Sequence, residues 1–405
     1  MRTYRDLFAR SGFTPLFLVS SGQVAGQTVS GLALGTLVYA GTGSPLLSGL
    51  AMFGPALAQV VGAATLLSAA DRLPPRAALA SLALLAALGT AVLAVPGLPV
   101  WGMLAVVLAL GVLSSLGGGV RYGLLNEILD QDGYLLGRSV LNMSSGITQI
   151  AGFGVGGVLV AVLSPRGTLL AGAALYLAAA VAALGLGRRR PRASGRPSPA
   201  ETWRDNARLW SSRPRRHVYL ALWLPNGLIV GCESLFVPLA PGRAGLLFAC
   251  AAAGMLAGDV LAGRFVPAAW RARLVTPLHL LLALPYLAFA AYPAAVLVAL
   301  ASAGYAATLL LQDRLMALTP GELSGHALGL HSSGMVAAQG VAAALAGTLA
   351  EFTSPTTAIA VLAAASVAVT FALAPRLRSA RVATPLEAPA KLPLTRGDRR
   401  GKDTP

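Results

Sequence analysis

Twelve stretches of this sequence run for 18 or more residues with almost no charge. No other feature limits the fold as much. A helix rises 1.5 Å per residue, so ~20 apolar residues cross the ~30 Å hydrocarbon core of a bilayer. The stretches fall at roughly 14–40, 45–69, 77–96, 99–124, 138–163, 167–187, 217–239, 244–263, 275–292, 294–317, 325–350 and 356–374. An Ala-rich soluble bundle is the competing arrangement, and composition excludes it. Only 11% of residues are charged and 56% are hydrophobic, whereas soluble domains carry about 25% charged residues. The N-terminus "MRTYRDLFAR" is charged and leads into a long span, unlike a cleavable signal peptide.

Charge placement orients the spans. The formal net charge is +16. With the N-terminus in the cytoplasm, 29 of the 31 Lys and Arg residues fall on that side, and only Arg166 and Arg243 fall on the other. This is the positive-inside pattern, and it puts both termini in the cytoplasm. The basic excess is therefore topological. It implies contact with anionic lipid headgroups, and no aromatic-interleaved basic fold is present to bind nucleic acid. Lysine occurs only at Lys391 and Lys402, so no Walker A lysine exists and an ATP-driven pump is excluded on this chain. Cys232 and Cys250 lie inside spans, where they read as small packing residues. No cofactor or metal is expected. Arg-over-Lys, Ala-rich usage fits a GC-rich bacterial genome.

The sequence also repeats itself. "LLNEIL" (124–129) returns as "LLQDRL" (310–315), and "GRSVLNMSSG" (137–146) returns as "GHALGLHSSG" (325–334). Both copies run on to a Ser-Pro pair, Ser164-Pro165 and Ser354-Pro355. Two six-span units follow: a first bundle over 1–187, a basic linker over 188–216, a second bundle over 217–374 and a basic tail over 375–405. The linker is expected to lack regular structure except for a short amphipathic helix near "ETWRDNARLW". Glu127 and Asp313 end spans 4 and 10 within reach of Arg121 and Arg314. These are either ion pairs that fix helix ends or latches that break and re-form.

An even-numbered repeat enters the membrane the same way up both times, so the halves are related by an axis along the membrane normal. That arrangement resembles the major facilitator superfamily, and the resemblance covers about residues 8–376. Loop 2–3 resembles its "GxLaDrxGrr" motif through Asp71, Arg72 and Arg76, with Leu67 and Pro74-Pro75 replacing glycines and a basic position. The motif implies a cytoplasmic gate in which Asp71 faces the N-terminus of span 11, where the helix dipole favours an anion. Span 5 resembles the "gxxxGPxxGGxl" antiporter motif at Gly152, Gly156, Gly157 and Leu159, with Phe153 in place of the proline. These small residues are expected to let spans 5 and 8 pack backbone to backbone. The run from the "LLNEIL" acid through span 5 is similar to the drug-efflux branch that includes macrolide exporters. The resemblance implies an all-α membrane protein of twelve transmembrane helices, and spans 1, 4, 7 and 10 around a cavity.

Polar groups in hydrocarbon are costly, so each one is a candidate. Glu233 in span 7 is the foremost, with Asn226 seven residues earlier on the same helical face. Such an acid can bind a proton or attract a cationic substrate, or it can simply bond between helices. Gln23 and Gln27 share a face of span 1 with Ser20 and Ser30, either lining a cavity or joining helices. Asp259 in span 8 is a second protonation candidate or a partner of Arg264. His331 in span 11 can relay protons or pack as a hydrogen-bonding residue. Arg121 and Tyr305 complete the candidates, with Tyr122, Trp223 and Phe236 as aromatic lining.

A proton-driven exporter of a small amphipathic compound is the leading expectation, working as a monomer in a bacterial cell membrane. An uptake carrier or facilitator would need a denser polar cavity. A membrane enzyme would need a catalytic cluster at one interface, and the sequence offers no zinc spacing and no Ser/His/Asp set. A non-transporting sensor would usually add a soluble domain. Reporter fusions at Arg196 and at Pro405 should both report cytoplasm. A periplasmic signal at either site would overturn the six-plus-six topology.

Overall fold

A computed structural model describes residues 4–70, 74–129, 131–187, 199–320 and 323–379. Asp71, Arg72, the linker stretch 188–198, the tail beyond 379 and the side chain of Tyr122 lie outside the described residues. Among the described residues every regular element is helical. A short α1 (Tyr4–Phe8) precedes α2 (Phe13–Thr42), α3 (Pro45–Ala70), α4 (Pro75–Leu93) and α5 (Val100–Ile128). The 54-residue α6 (Gln131–Leu184) makes two crossings, because Ser164 breaks it with φ 70° and ψ 164°. Proline at the next position disfavours helical geometry at Ser164. The linker helix α7 (Pro199–Ser211) follows, then α8 (Arg213–Glu233) and the single turn α9 (Phe236–Leu239), which together form one crossing. α10 (Ala244–Phe265) and α11 (Ala268–Ala291) come next. α12 (Ala295–Ala303) and α13 (Ala307–Ala317) are one crossing joined by a 3-10 turn at Gly304–Ala306. α14 (Ser324–Phe352) and α15 (Pro355–Ser379) close the chain.

Ten of these stretches are long and apolar enough to span a membrane, and one of them, Leu136–Leu184, contains the break at Ser164. α2 adds the twelfth crossing; its Ser, Gln and Thr residues lower its mean hydropathy. The fold is therefore twelve transmembrane helices in two six-helix bundles, as the repeat predicts. The Ser-Pro pairs do the same work in both copies. Ser164 Oγ accepts from the Gly167 amide at 3.4 Å, and Ser354 Oγ accepts from the Thr357 amide at 3.1 Å. Each serine caps the helix that follows it.

The cores explain the shape. At the Arg-rich end each half packs by itself: Leu16, Leu79, Leu124 and Leu141 in the first, Val218, Leu222, Leu311 and Leu377 in the second. At the other end one core crosses between the halves. There Leu32, Met52, Phe53 and Phe153 of the first half pack with Phe236, Phe248 and Ala346 of the second. Glu351 closes the same end by accepting bonds from Ser44 Oγ and, at 3.3 Å, from the Leu46 amide. The halves meet where α3 packs on α14 and α6 on α10. Among the described residues the core joins the halves at the Arg-poor end and is split between them at the Arg-rich end.

The α6–α10 contact is backbone on backbone. A Cβ added at Gly245 would lie 2.6 Å from Gly157 Cα and 2.8 Å from the Phe153 carbonyl. Backbone cannot turn aside as a side chain can, so the helices must separate. Gly245→Leu should lower stability in detergent by about 1–3 kcal/mol, read as a fall in Tm. Gly31→Ala, where an added Cβ meets nothing within 4 Å, should be neutral or stabilising.

Candidate functional site

Two helix breaks converge on one carboxyl group. α8 ends at Glu233, and the Ser234 hydroxyl turns back to the Gly231 carbonyl at 2.7 Å. The other break, at Gly304–Ala306, holds Tyr305. Tyr305 Oη donates to Glu233 Oε1 at 3.1 Å, and Tyr286 Oη donates to the same oxygen at 3.3 Å. The carboxyl is buried. Around it stand rings: Phe236 lies 5.0 Å from Phe248 and 5.8 Å from Phe289, centroid to centroid. The pair of phenols gives the carboxylate charge-assisted bonds where water is excluded. The same oxygens can accept from the carboxyl when it carries a proton.

Below this centre a polar series descends the second half. Gln339 Nε2 donates to Asn226 Oδ1 at 3.0 Å, seven residues and so ~10 Å along α8 from Glu233. Further on, Gln312 Nε2 lies 3.0 Å from His331 Nε2, and Trp223 Nε1 donates to the His331 carbonyl at 3.1 Å. His331 is buried, and its Nδ1 has no hydrogen-bond partner among the described residues. Gln339 and Tyr286 are members of this set that sequence reasoning missed. Gln339 had a signal, being an amide alone in an apolar run. Tyr286 had none, because a tyrosine in a span is usually packing.

Asp259 lies elsewhere. On α10, Gly254 and Gly258 pack against Ala299 and Ala303, while Gly245 faces Gly157 and Leu256 faces Gly146 of α6. Asp259 falls on the arc between these strips, with Met255, Ala252 and Phe248 at four, seven and eleven residues' distance. Phe248 and Ala252 are buried, Met255 is half-buried and Asp259 is exposed. Asn142, Gln149 and Phe153 repeat the seven- and eleven-residue spacing on α6, and Asn142 is exposed. Phe153 and Phe248 stack at 4.8 Å. These two faces converge on the stacked rings, and Asn142 and Asp259 stand ~16 Å from the rings toward the Arg-rich end. Gln27 is exposed and Gln23 half-buried on α2. The structure thus separates the buried Glu233, behind the rings, from the exposed Asp259.

Several sequence expectations need correction. Asp313 pairs with Arg271 of α11 rather than with Arg314, whose Nη2 donates to the Leu377 carbonyl at 2.6 Å. Neighbours in one helix turn point apart, so a facing helix supplies the partner. Asp259 makes no ion pair with Arg264, whose guanidinium lies 5.9 Å from the Phe265 ring centroid. Of the three motif glycines only Gly157 meets α10; Gly152 and Gly156 face Thr28 and Val29 of α2. Five residues advance 500° round a helix, so Gly152 and Gly157 cannot share a face. Of the expected gate residues, Glu127 is exposed, and Arg121 and Arg76 are half-buried.

The solved structures this chain resembles are transporters. A POT family transporter in complex with 5-aminolevulinic acid matches with a TM-score of 0.71 at 12% identity, over 90% of this chain and 96% of that one. A bacterial homolog of the human lysosomal transporter Spinster, inward-facing and unoccupied, matches with a TM-score of 0.70 at 13% identity, over 95% and 100%. A nucleoside transporter matches with a TM-score of 0.70 at 15% identity, over 89% and 98%. At such identities the likeness is one of fold. No curated protein matches the sequence. The family model described as Major Facilitator Superfamily matches residues 16–308. With this match and its twelve crossings in repeated halves, the chain belongs to the Major Facilitator Superfamily and is a multi-pass membrane transporter.

Proposed function

We propose that this transporter exports a small amphipathic compound, a drug or natural product, in exchange for protons, with its Arg-rich end in the cytoplasm of a bacterial cell. One observation carries the reading. A buried carboxyl, Glu233, sits between two phenol donors at the meeting of two helix breaks, just behind the Phe153–Phe248 stack. A transmembrane acid enclosed this way is costly unless it works. In this reading the stacked rings floor a vestibule between the halves and accept an apolar body, and the exposed Asp259 and Gln27 offer it polar contacts.

Alternating access then follows from the cores. Substrate enters the vestibule while the Arg-poor end is shut. Reversal parts the shared core around Phe236 and Phe248 and exposes Glu233 to the other side. A proton taken up there accompanies the return, and its release into the vestibule restores the carboxylate. Substrate and proton thereby exclude each other. A second reading, an uptake carrier or facilitator for a metabolite, draws support from the peptide and nucleoside transporters among the solved structures of this fold.

Proteoliposomes with an imposed pH gradient, given a panel of lipophilic cations and neutral antibiotics, separate the two. Glu233→Gln should abolish gradient-driven accumulation while substrate exchange stays measurable. Asp259→Asn should reduce transport less. If Glu233→Gln kept full coupling and Asp259→Asn lost it, the coupling site would move to α10. If both kept it, the facilitator would be the better description.

A further inference from the structure

Glu351 is badly placed for its own helix. It stands in the last turn of α14, where the helix dipole already gathers negative charge. The repeat shows that this helix end does not need an acid. With the two Ser-Pro pairs in register, Ala161 holds the same position in the first copy. The serine cap that follows forms in both copies, behind the alanine and behind the acid alike.

What Glu351 serves is the other half. Its Oε1 accepts from Ser44 Oγ and, at 3.3 Å, from the Leu46 amide. Ser44 Oγ in turn accepts from the Leu47 amide at 3.1 Å. Since α3 begins at Pro45, two of its orphan amides find acceptors here, one on Ser44 and one on a residue 307 positions further along the chain. The carboxylate faces the positive end of the α3 dipole. One turn earlier on α14, a Cβ added at Gly347 would lie 2.5 Å from Leu46 Cα, so the two backbones touch. One turn further along α3, a Cβ added at Gly49 would lie 3.8 Å from Ser234 Oγ. The seam between α3 and α14 therefore lies against the residue that follows Glu233.

We propose that Glu351 is a gating residue, a latch that holds the Arg-poor end closed by capping α3 from the opposite half. Its bonds exist only while the halves meet at this seam. Parting them leaves the carboxylate on a helix end that repels it and returns the Leu46 amide to water. The latch thus weights the balance between closed and open at this end, whatever the transporter carries. Its effect on proton entry rests on the function proposed above, because the seam lies against the helix break that holds Glu233.

Spin-label distances on the full chain in nanodiscs test this. Val95→Cys and Tyr292→Cys put one label on an exposed tip of each half at the Arg-poor end, with Cys232→Ala and Cys250→Ala removing the native thiols. Glu351→Ala should raise the ratio of the long, open distance to the short, closed one by about tenfold. Glu351→Gln should raise it less, because the amide oxygen still accepts both bonds but carries no charge. Ser44→Ala should shift it the same way, and Glu351→Ala should add less on top of Ser44→Ala than it does alone. Thr348→Ala, one turn away and bonded back to its own helix at the Ala344 carbonyl at 2.8 Å, should change nothing. A ratio unmoved by Glu351→Ala would overturn the proposal, as would an equal shift from Thr348→Ala or full additivity of the Ser44 and Glu351 replacements. Glu351 is exposed and Glu351→Gln keeps its shape, so the test does not hang on a variant that misfolds. No substrate or pH gradient enters the measurement, so failure of the latch and failure of proton exchange are told apart.

Discussion

In hydrocarbon no water is available to bond a stray backbone N–H or C=O, so a chain of this composition must satisfy its backbone within its own helices. That requirement produces the twelve crossings, and it also makes any interruption costly. The two breaks, after Glu233 and at Gly304–Ala306, are both buried in the second half. Irregular backbone at membrane depth persists where protein encloses it. Here the enclosure is aromatic, and the one acid among the rings is held by phenols from α11 and from the turn at Tyr305. The halves share a topology but not this device. Span 1 carries Gln27-Thr28 and no acid, and Thr28 bonds back to its own helix at the Val24 carbonyl.

The distribution of packing follows from the same economy. Within lipid there is no hydrophobic drive between helices, so close approach through small residues has to serve. Gly157 against Gly245 and Gly347 against Leu46 draw the halves together at the Arg-poor end. Toward the other end each half keeps its own leucine core. A structure packed this way has two bodies and one replaceable joint. The Ser44–Glu351 contact and the Phe153–Phe248 stack belong to the joint, while the Ser-Pro caps and the leucine cores belong to the bodies.

The fold was largely legible in the sequence because its signals are periodic and redundant. Span length, arginine placement and a repeated hexapeptide all point to the same arrangement. The amphipathic linker helix was legible for the same reason. Glu233 and Tyr305 were each visible as costly or bulky polar groups, but their bond was not, since 72 residues separate them and only the two breaks bring them together. Asp313 was assigned to the wrong arginine because sequence adjacency stood in for helix packing. The span-5 glycines were read as one face although their spacing wraps around the helix. Asp259 and Glu233 were both protonation candidates in the sequence, with Glu233 foremost. Burial separates them, and burial depends on how far the halves are parted.

The linker helix has a mechanical consequence. α7 is bound to the second half: Leu209 packs with Leu323 and Ala327, Trp210 lies on Trp223, and Asp205 reaches His326 at 3.7 Å. It therefore rides with that half as part of one body. The covalent tie between the two bodies is then not the whole stretch 188–216 but the eleven residues between Gly187 and Pro199. Fully extended, a chain of that length reaches roughly 40 Å. However the halves rock, that tether sets the largest excursion of one Arg-rich rim from the other.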